Sequence, residues 1–204
     1  MTLGAVPLSI VDRPEPRSDE ELVASCVAGD VAAQRALFRR EYDRVHATVY
    51  RILGSNRDCD DLVQETFVAV FRGLARFRGE ARLSTWIDRI AVRVVFAYIR
   101  ARRPAISLDV VGEVDAGGGA IEERAHAREG LRRLYAALAE LPTEARVAFA
   151  LYAIDGRSIA EVAQLIGTTA VTAKLRIWRA RRRLHARVAA DPILGELVRE
   201  EGEA

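Results

Sequence analysis

Apolar residues recur at three- and four-residue spacing through most of this chain, and no stretch alternates β-branched residues at a spacing of two. The first period places side chains on one face of a helix and the second on one face of a strand, so the pattern predicts an all-α protein. Punctuation at the ends of each stretch agrees. Ser18 and Glu21 read as a capping box, and a short helix should run to Ala28 and stop at Gly29. Asp30 caps a longer helix to Leu53, closed by Gly54. A turn at 55–58 precedes a helix from Cys59 to Leu74. After the loop at 76–80, Ser84 or Thr85 should start a helix that ends before Pro104.

Residues 104–119 interrupt this pattern. They hold Gly117, Gly118 and Gly119, three acids and no base, the composition of a flexible linker. Helix resumes from 120 to Glu140. Thr143 is read as the cap of a helix to Ile154, and Ser158 and Glu161 form a second capping box. That helix stops at Gly167, and Thr169 caps a last helix over 170–190. The expected organisation is a flexible lead (1–17), a helical bundle (18–103), the linker (104–119), a second bundle carrying a helix-turn-helix (120–190) and an acidic tail (191–204).

The chain has 204 residues, half of them hydrophobic, and a formal net charge of only +2, so neither wholesale disorder nor a polycation is expected. Its two cysteines, Cys26 and Cys59, form no CxxC, which excludes a disulfide framework or a zinc module and points to a reducing cytoplasm. No apolar run approaches the roughly 20 residues a membrane span requires. Thirty of the 31 basic residues are arginine, with Lys174 the exception. Nine arginines lie between Arg72 and Arg103 against two acids, and seven basic residues lie between 170 and 190 against none. Two basic elements in two bundles suit a polyanion touched at two places.

The segment 158–190 has the spacing of a helix-turn-helix, whose second helix enters the major groove. Ala170, Ala173, Ile177, Ala180, Leu184 and Val188 should face the core. Thr172, Leu175, Arg176, Arg179 and Arg183 should face outward, where arginine can pair with guanine and an apolar group can meet a thymine methyl. In the helix from Cys59, Val63, Phe67, Val70, Phe71 and Leu74 form one stripe, with Asp58, Asp61, Glu65, Val68 and Arg72 opposite. Helix-dipole complementarity accounts for acids at 58, 60 and 61 but not for Glu65, which points to a protein partner. Phe77-Arg78-Gly79-Glu80 and the following helix interleave aromatics with arginines, as single-stranded DNA binders do. Trp86 and Phe96 are expected in the core. Cys59 is read as inert packing, and the acids at 58–65 lack the base and phosphate cradle a nuclease needs, so neither a metal nor a cofactor is expected.

Asp61-Leu62-Val63-Gln64-Glu65-Thr66-Phe67, Phe77-Arg78-Gly79, Ser84-Thr85-Trp86 and Arg89-Ile90-Ala91 resemble region 2 of the extracytoplasmic-function sigma factors. Leu141-Pro142, the run from Gly156 to Ala163, Leu165-Ile166-Gly167 and the run from Arg179 to Leu184 resemble region 4 of the same family, in the same order. The resemblance implies a non-enzymatic subunit that directs core RNA polymerase to promoters. It implies polymerase binding through Asp61, Gln64 and Glu65. It further implies capture of the melted −10 strand by Phe77, Arg78, Arg82, Arg89, Arg93 and Arg100. Duplex −35 DNA would be read by Thr172, Lys174, Leu175, Arg176, Arg179 and Arg183, and an anti-sigma protein is the expected regulator. Arg93 and Ala97 stand where the family usually has Asn and Asp, and Val171 and Leu175 where it has small residues. The competing reading is a helix-turn-helix activator or repressor that acts without core polymerase, and a distant third is a DNA-processing enzyme.

Overall fold

A computed structural model of the chain describes residues 18–102 and 121–190. The lead, the linker and the acidic tail of the sequence reading lie outside the described residues. The first bundle contains α1 (Asp19–Val27), α2 (Val31–Leu53), α3 (Cys59–Gly73) and α4 (Leu83–Arg102), with a 3-10 turn at Leu74–Arg76. The second contains α5 (Ile121–Ala139), α6 (Thr143–Phe149), a π turn at Ala150–Ile154, α7 (Ile159–Leu165) and α8 (Ala170–Ala190). Among the described residues there is no strand.

Local chemistry sets most of the ends. Ser18 Oγ accepts from the Glu21 amide at 3.2 Å, and an Asp30 carboxylate oxygen accepts from the Ala32 and Ala33 amides. Gly54, at φ +71, is the left-handed residue that closes α2. Two starts differ from expectation. Helix α4 begins at Leu83, because the carboxylate of Asp19, far away in sequence, accepts from the Leu83 amide at 3.3 Å. Thr143 is already helical, and the flanking residue is Pro142, whose carbonyl accepts from the Ala145 and Arg146 amides. The helix expected to run evenly to Ile154 widens into the π turn, which packs against α2.

In the first bundle α2, α3 and α4 pack on one another around Leu37, Val45, Val49, Val63, Val70, Ile87 and Val95. This core does not end at the bundle's edge. Val147, Ala148, Leu151, Val162 and Ile177 belong to the same apolar cluster as Ile52, Val92 and Ile99. Helix α4 packs on α6 and α7, and α2 on the π turn. A smaller cluster (Tyr135, Leu138, Leu141, Ala145, Ala180, Leu184) holds α5 to α8. The tryptophan and phenylalanine expected inside the core, Trp86 and Phe96, lie at its margin, packed against it but half-buried.

Candidate nucleic-acid interface

Three surfaces carry the residues singled out by sequence. The first is the outer face of α3. Its start is anchored to α2 by Cys59, which is fully buried and donates its thiol to the His46 carbonyl at 3.8 Å. Burial pushes the Cys59 thiol up to about 12, so it is neither nucleophile nor ligand at neutral pH. Asp58 does not join the outer face, because it accepts from Tyr98 Oη of α4 at 2.6 Å. Val63, Phe67 and Val70 are buried, Phe71 is half-buried, and Asp61, Gln64, Glu65 and Val68 are exposed. Asp61, Gln64 and Glu65 thus share one solvent-facing patch.

The second surface is the loop after α3 and the outer side of α4. Phe77 follows the 3-10 turn and packs edge-on against Trp86, ring centroids 5.6 Å apart. Gly73 lies under the Trp86 ring, where an added Cβ would sit 3.4 Å from it. Both rings are half-buried, so each keeps a solvent-facing part. Arg78 is exposed beside Glu80 at 4.0 Å. Arg89, Arg93 and Arg100 recur at intervals of four and seven and so project along one line of α4, with Arg82 just before its first residue. Arg82, Arg93 and Arg100 are exposed and Arg89 is half-buried, while Ile87, Asp88, Val92, Val95 and Ile99 occupy the buried side. The loop and helix therefore join a pair of aromatic rings to a row of guanidinium groups.

The third surface is the helix-turn-helix of α7 and α8. Ser158 and Glu161 form the reciprocal capping box: the Glu161 amide donates to Ser158 Oγ at 3.3 Å, and the Ser158 amide donates to Glu161 Oε2 at 2.9 Å. These bonds from Ser158 hold the Glu161 carboxyl below its usual value. Gly167 makes the turn at φ +66. Thr169 Oγ1 accepts from the Thr172 amide at 3.2 Å and lies 2.9 Å from the Thr172 hydroxyl. Thr172 is thereby tied to the start of the helix.

Along α8, Ala173, Ile177, Ala180 and Leu184 are buried. Ala170, the first residue of α8, is exposed and Val188, near its end, is half-buried, so the buried stripe is narrower than expected. Lys174, Leu175, Arg179 and Arg183 are exposed and Arg176 is half-buried. Arg176, Arg179, Arg182 and Arg183 line a groove of about 620 Å³ with Trp178, Pro142 and Glu144. Sequence reasoning missed Trp178, which is 52% exposed and lies 5.2 Å beneath the Arg182 guanidinium. The signal was available: Val171, Leu175, Trp178 and Arg182 follow one another at intervals of four, three and four, a stripe beside the arginines. An exposed indole and four guanidinium groups can meet base edges and phosphates together. Among the described residues no group of three or more His, Cys, Asp or Glu is placed to hold a metal ion.

Two family models match the chain in the order of its two bundles. The family model "Sigma-70 region 2" matches residues 37–105, and "Sigma-70, region 4" matches residues 131–184. The ECF RNA polymerase sigma factor SigM of Mycobacterium tuberculosis is 34% identical over 170 residues, 82% of this chain and 83% of that protein. The ECF RNA polymerase sigma-E factor of Escherichia coli K12 is 33% identical over 184 residues, 85% of this chain and 96% of that protein. The structure of CnrH in complex with the cytosolic domain of CnrY matches with a TM-score of 0.60 at 28% identity, covering 85% of this chain and 98% of CnrH. With both regions matched in order and these relatives covered over most of their length, the chain belongs to the ECF family of RNA polymerase sigma factors.

Proposed function

We propose that the three surfaces divide the work of a sigma subunit: it directs core RNA polymerase to specific promoters, and each surface meets a different partner. The outer face of α3, with Asp61, Gln64 and Glu65, docks on the polymerase. Phe77 and Arg78 with the row Arg82, Arg89, Arg93 and Arg100 capture the melted −10 strand, rings against bases and guanidinium groups against phosphates. Thr172, Lys174, Leu175, Arg176, Arg179 and Arg183 read the −35 duplex from the major groove. The functional units are 18–103 and 120–190, joined by 104–119. The chain performs no chemistry of its own, since RNA synthesis belongs to the polymerase, and it works in the cytoplasm. No helix among the described residues is long and apolar enough to cross a membrane. An anti-sigma protein is the proposed regulator; the similar CnrH was solved in complex with another protein segment, the cytosolic domain of CnrY.

The observation that carries this reading is the exposure of an acidic face on α3 beside two separate arginine rows on α4 and α8. A duplex-binding repressor has use for one basic row and none for the acidic face. The test is promoter-directed transcription by core polymerase with and without the chain, followed by mapping of start sites. Addition of the chain should create discrete starts, and Glu65→Arg should weaken binding to core at least tenfold while leaving helix content unchanged. Full activity of a folded Glu65→Arg variant would remove α3 from the polymerase contact.

A further inference from the structure

The outward face of α8 carries positive charge that the folded bundle leaves unanswered. Arg176, Arg179, Arg182 and Arg183 line the groove of about 620 Å³ beside Trp178, with Glu144 as the acid in its wall. Other arginines of the same bundle hold carboxylates. Arg132 and Arg133 pair with Glu129, Arg157 with Asp155 and Arg187 with Glu140. Among the described residues the four groove arginines pair with no acid, and Arg182 lies over the half-exposed Trp178 ring instead. A concave surface with one sign of charge draws an anion.

A track leads into this groove from the far end of the helix. A second groove, of about 370 Å³, is lined by Ala137, Leu141, Leu184, Ala186 and Arg187, and Arg183 lines both. Its acid, Glu140, is already taken by Arg187. The track is apolar along its floor and cationic where it meets the first groove, so its occupant needs apolar side chains and acids together. The residues that follow α8 have both. Residues 191–204 hold five acids (Asp191, Glu196, Glu200, Glu201 and Glu203) against Arg199 alone, and Ile193, Leu194, Leu197 and Val198 are set among them. Asp191, Pro192 and Gly195 are residue types that favour reversal of the chain. Reach is sufficient. Fourteen extended residues span up to about 46 Å, and Arg176 lies only about 21 Å back along α8 from Ala190.

We infer that residues 191–204 seat in this groove and compete there with the −35 duplex, an inference that rests on the proposed reading of α8. The acids meet the guanidinium groups in place of phosphates, and the apolar residues cover Trp178 and Pro142. A tether this short holds the segment near the groove at an effective concentration of about millimolar, so a contact too weak to persist between separate molecules suffices. Duplex DNA must displace it, which lowers the apparent affinity for every sequence by the same factor, the fraction of molecules whose groove is free.

The test compares the full chain with its Glu196→Gln/Glu200→Gln/Glu201→Gln/Glu203→Gln variant. Fluorine NMR of fluorotryptophan-labelled protein reads the groove directly. The two tryptophans give two signals, assigned with Trp178→Phe, and Trp86 on α4 is the internal reference. Loss of the acids should move the Trp178 signal and leave the Trp86 signal in place. Affinity for matched and scrambled −35 duplexes should rise severalfold on both, and the gap from the wild type should close as salt screens the seated segment. A Trp178 signal that does not move overturns the inference even if binding tightens, because fewer negative charges favour DNA from any distance. A moved signal with unchanged affinity overturns the competition with DNA. If neither chain binds the −35 duplex, the proposed reading of α8 fails instead, and the NMR comparison still decides whether the segment is seated.

Discussion

Residues of one type play opposite parts here, and burial decides which. Glu41 and Glu65 both lie in the interior of long helices, yet Glu41 is 5% exposed between two arginines and Glu65 faces solvent. Asp58 and Asp61 are three residues apart, and Tyr98 takes only the first. Cys59 allows a direct check of burial. Its thiol rises from 9.0 to about 12 through desolvation, with the Asp60 charge adding to the effect. The neutral thiol is therefore favoured in the fold. Its contribution to stability is complete below the unfolded value and is lost as pH rises from about 9 to about 12. Iodoacetamide at pH ~8 should leave Cys59 unlabelled in the native protein and label it at once in denaturant. Rapid labelling of folded protein would mean that the start of α3 opens readily.

At the level of elements, helix ends are set partly by neighbours in sequence and partly by neighbours in space. Asp19 opens α1 and also caps α4 while pairing with Arg40 at 2.9 Å. Asp19→Ala should cost about 1 kcal/mol in denaturant unfolding, the scale of a lost cap. A change within error would mean that the Leu83 amide is equally well served by water. Under the proposed function, helix α8 divides its labour along its length. Arg176 lies nearer the N-terminal end that approaches base edges, and Arg183 lies two turns further on. Arg176→Ala should cost ~1–3 kcal/mol on the cognate −35 duplex and relax preference at one position. Arg183→Ala should weaken all duplexes alike and reduce the salt dependence, since one phosphate contact fewer releases fewer counterions. Equal losses for both variants on matched and scrambled duplexes would show that Arg176 reads no base.

Over the whole molecule, the two bundles share one apolar cluster, and this has a thermodynamic consequence. Leu151, in the π turn, is fully buried in a cluster that includes Ile52 and Val95. Leu151→Ala should cost ~2–5 kcal/mol. The destabilisation should be felt in both halves, because a continuous core unfolds cooperatively. The two tryptophans report on the two halves separately, Trp86 from α4 and Trp178 from α8. Single-tryptophan variants (Trp178→Phe and Trp86→Phe) should unfold with coincident midpoints in urea. Two separated transitions would mean that the halves are energetically independent.

The amino-acid sequence by itself determined the helices, most of their stops, the helix-turn-helix and the exposure of Glu65 and Leu175. All of these rest on periodicity and on contacts within a few residues, which a linear reading contains. The resemblance in Asp61–Phe67 and Arg179–Leu184 led to the family that the comparisons establish. Tertiary structure alone decided which charges are buried. Arg157 enters the sequence reading only within the run matched to region 4, and Asp88 only as one of two acids among nine arginines, until α4 and the segment before α7 meet and make them partners. It likewise decided that α4 starts at Leu83, that Trp86 and Phe96 stay at the core's margin, and that the end of α2 is capped by Tyr135 and Arg146. Each of these depends on atoms separated by scores of residues along the chain, and hydrophobic periodicity says which face of a helix is buried but not against what.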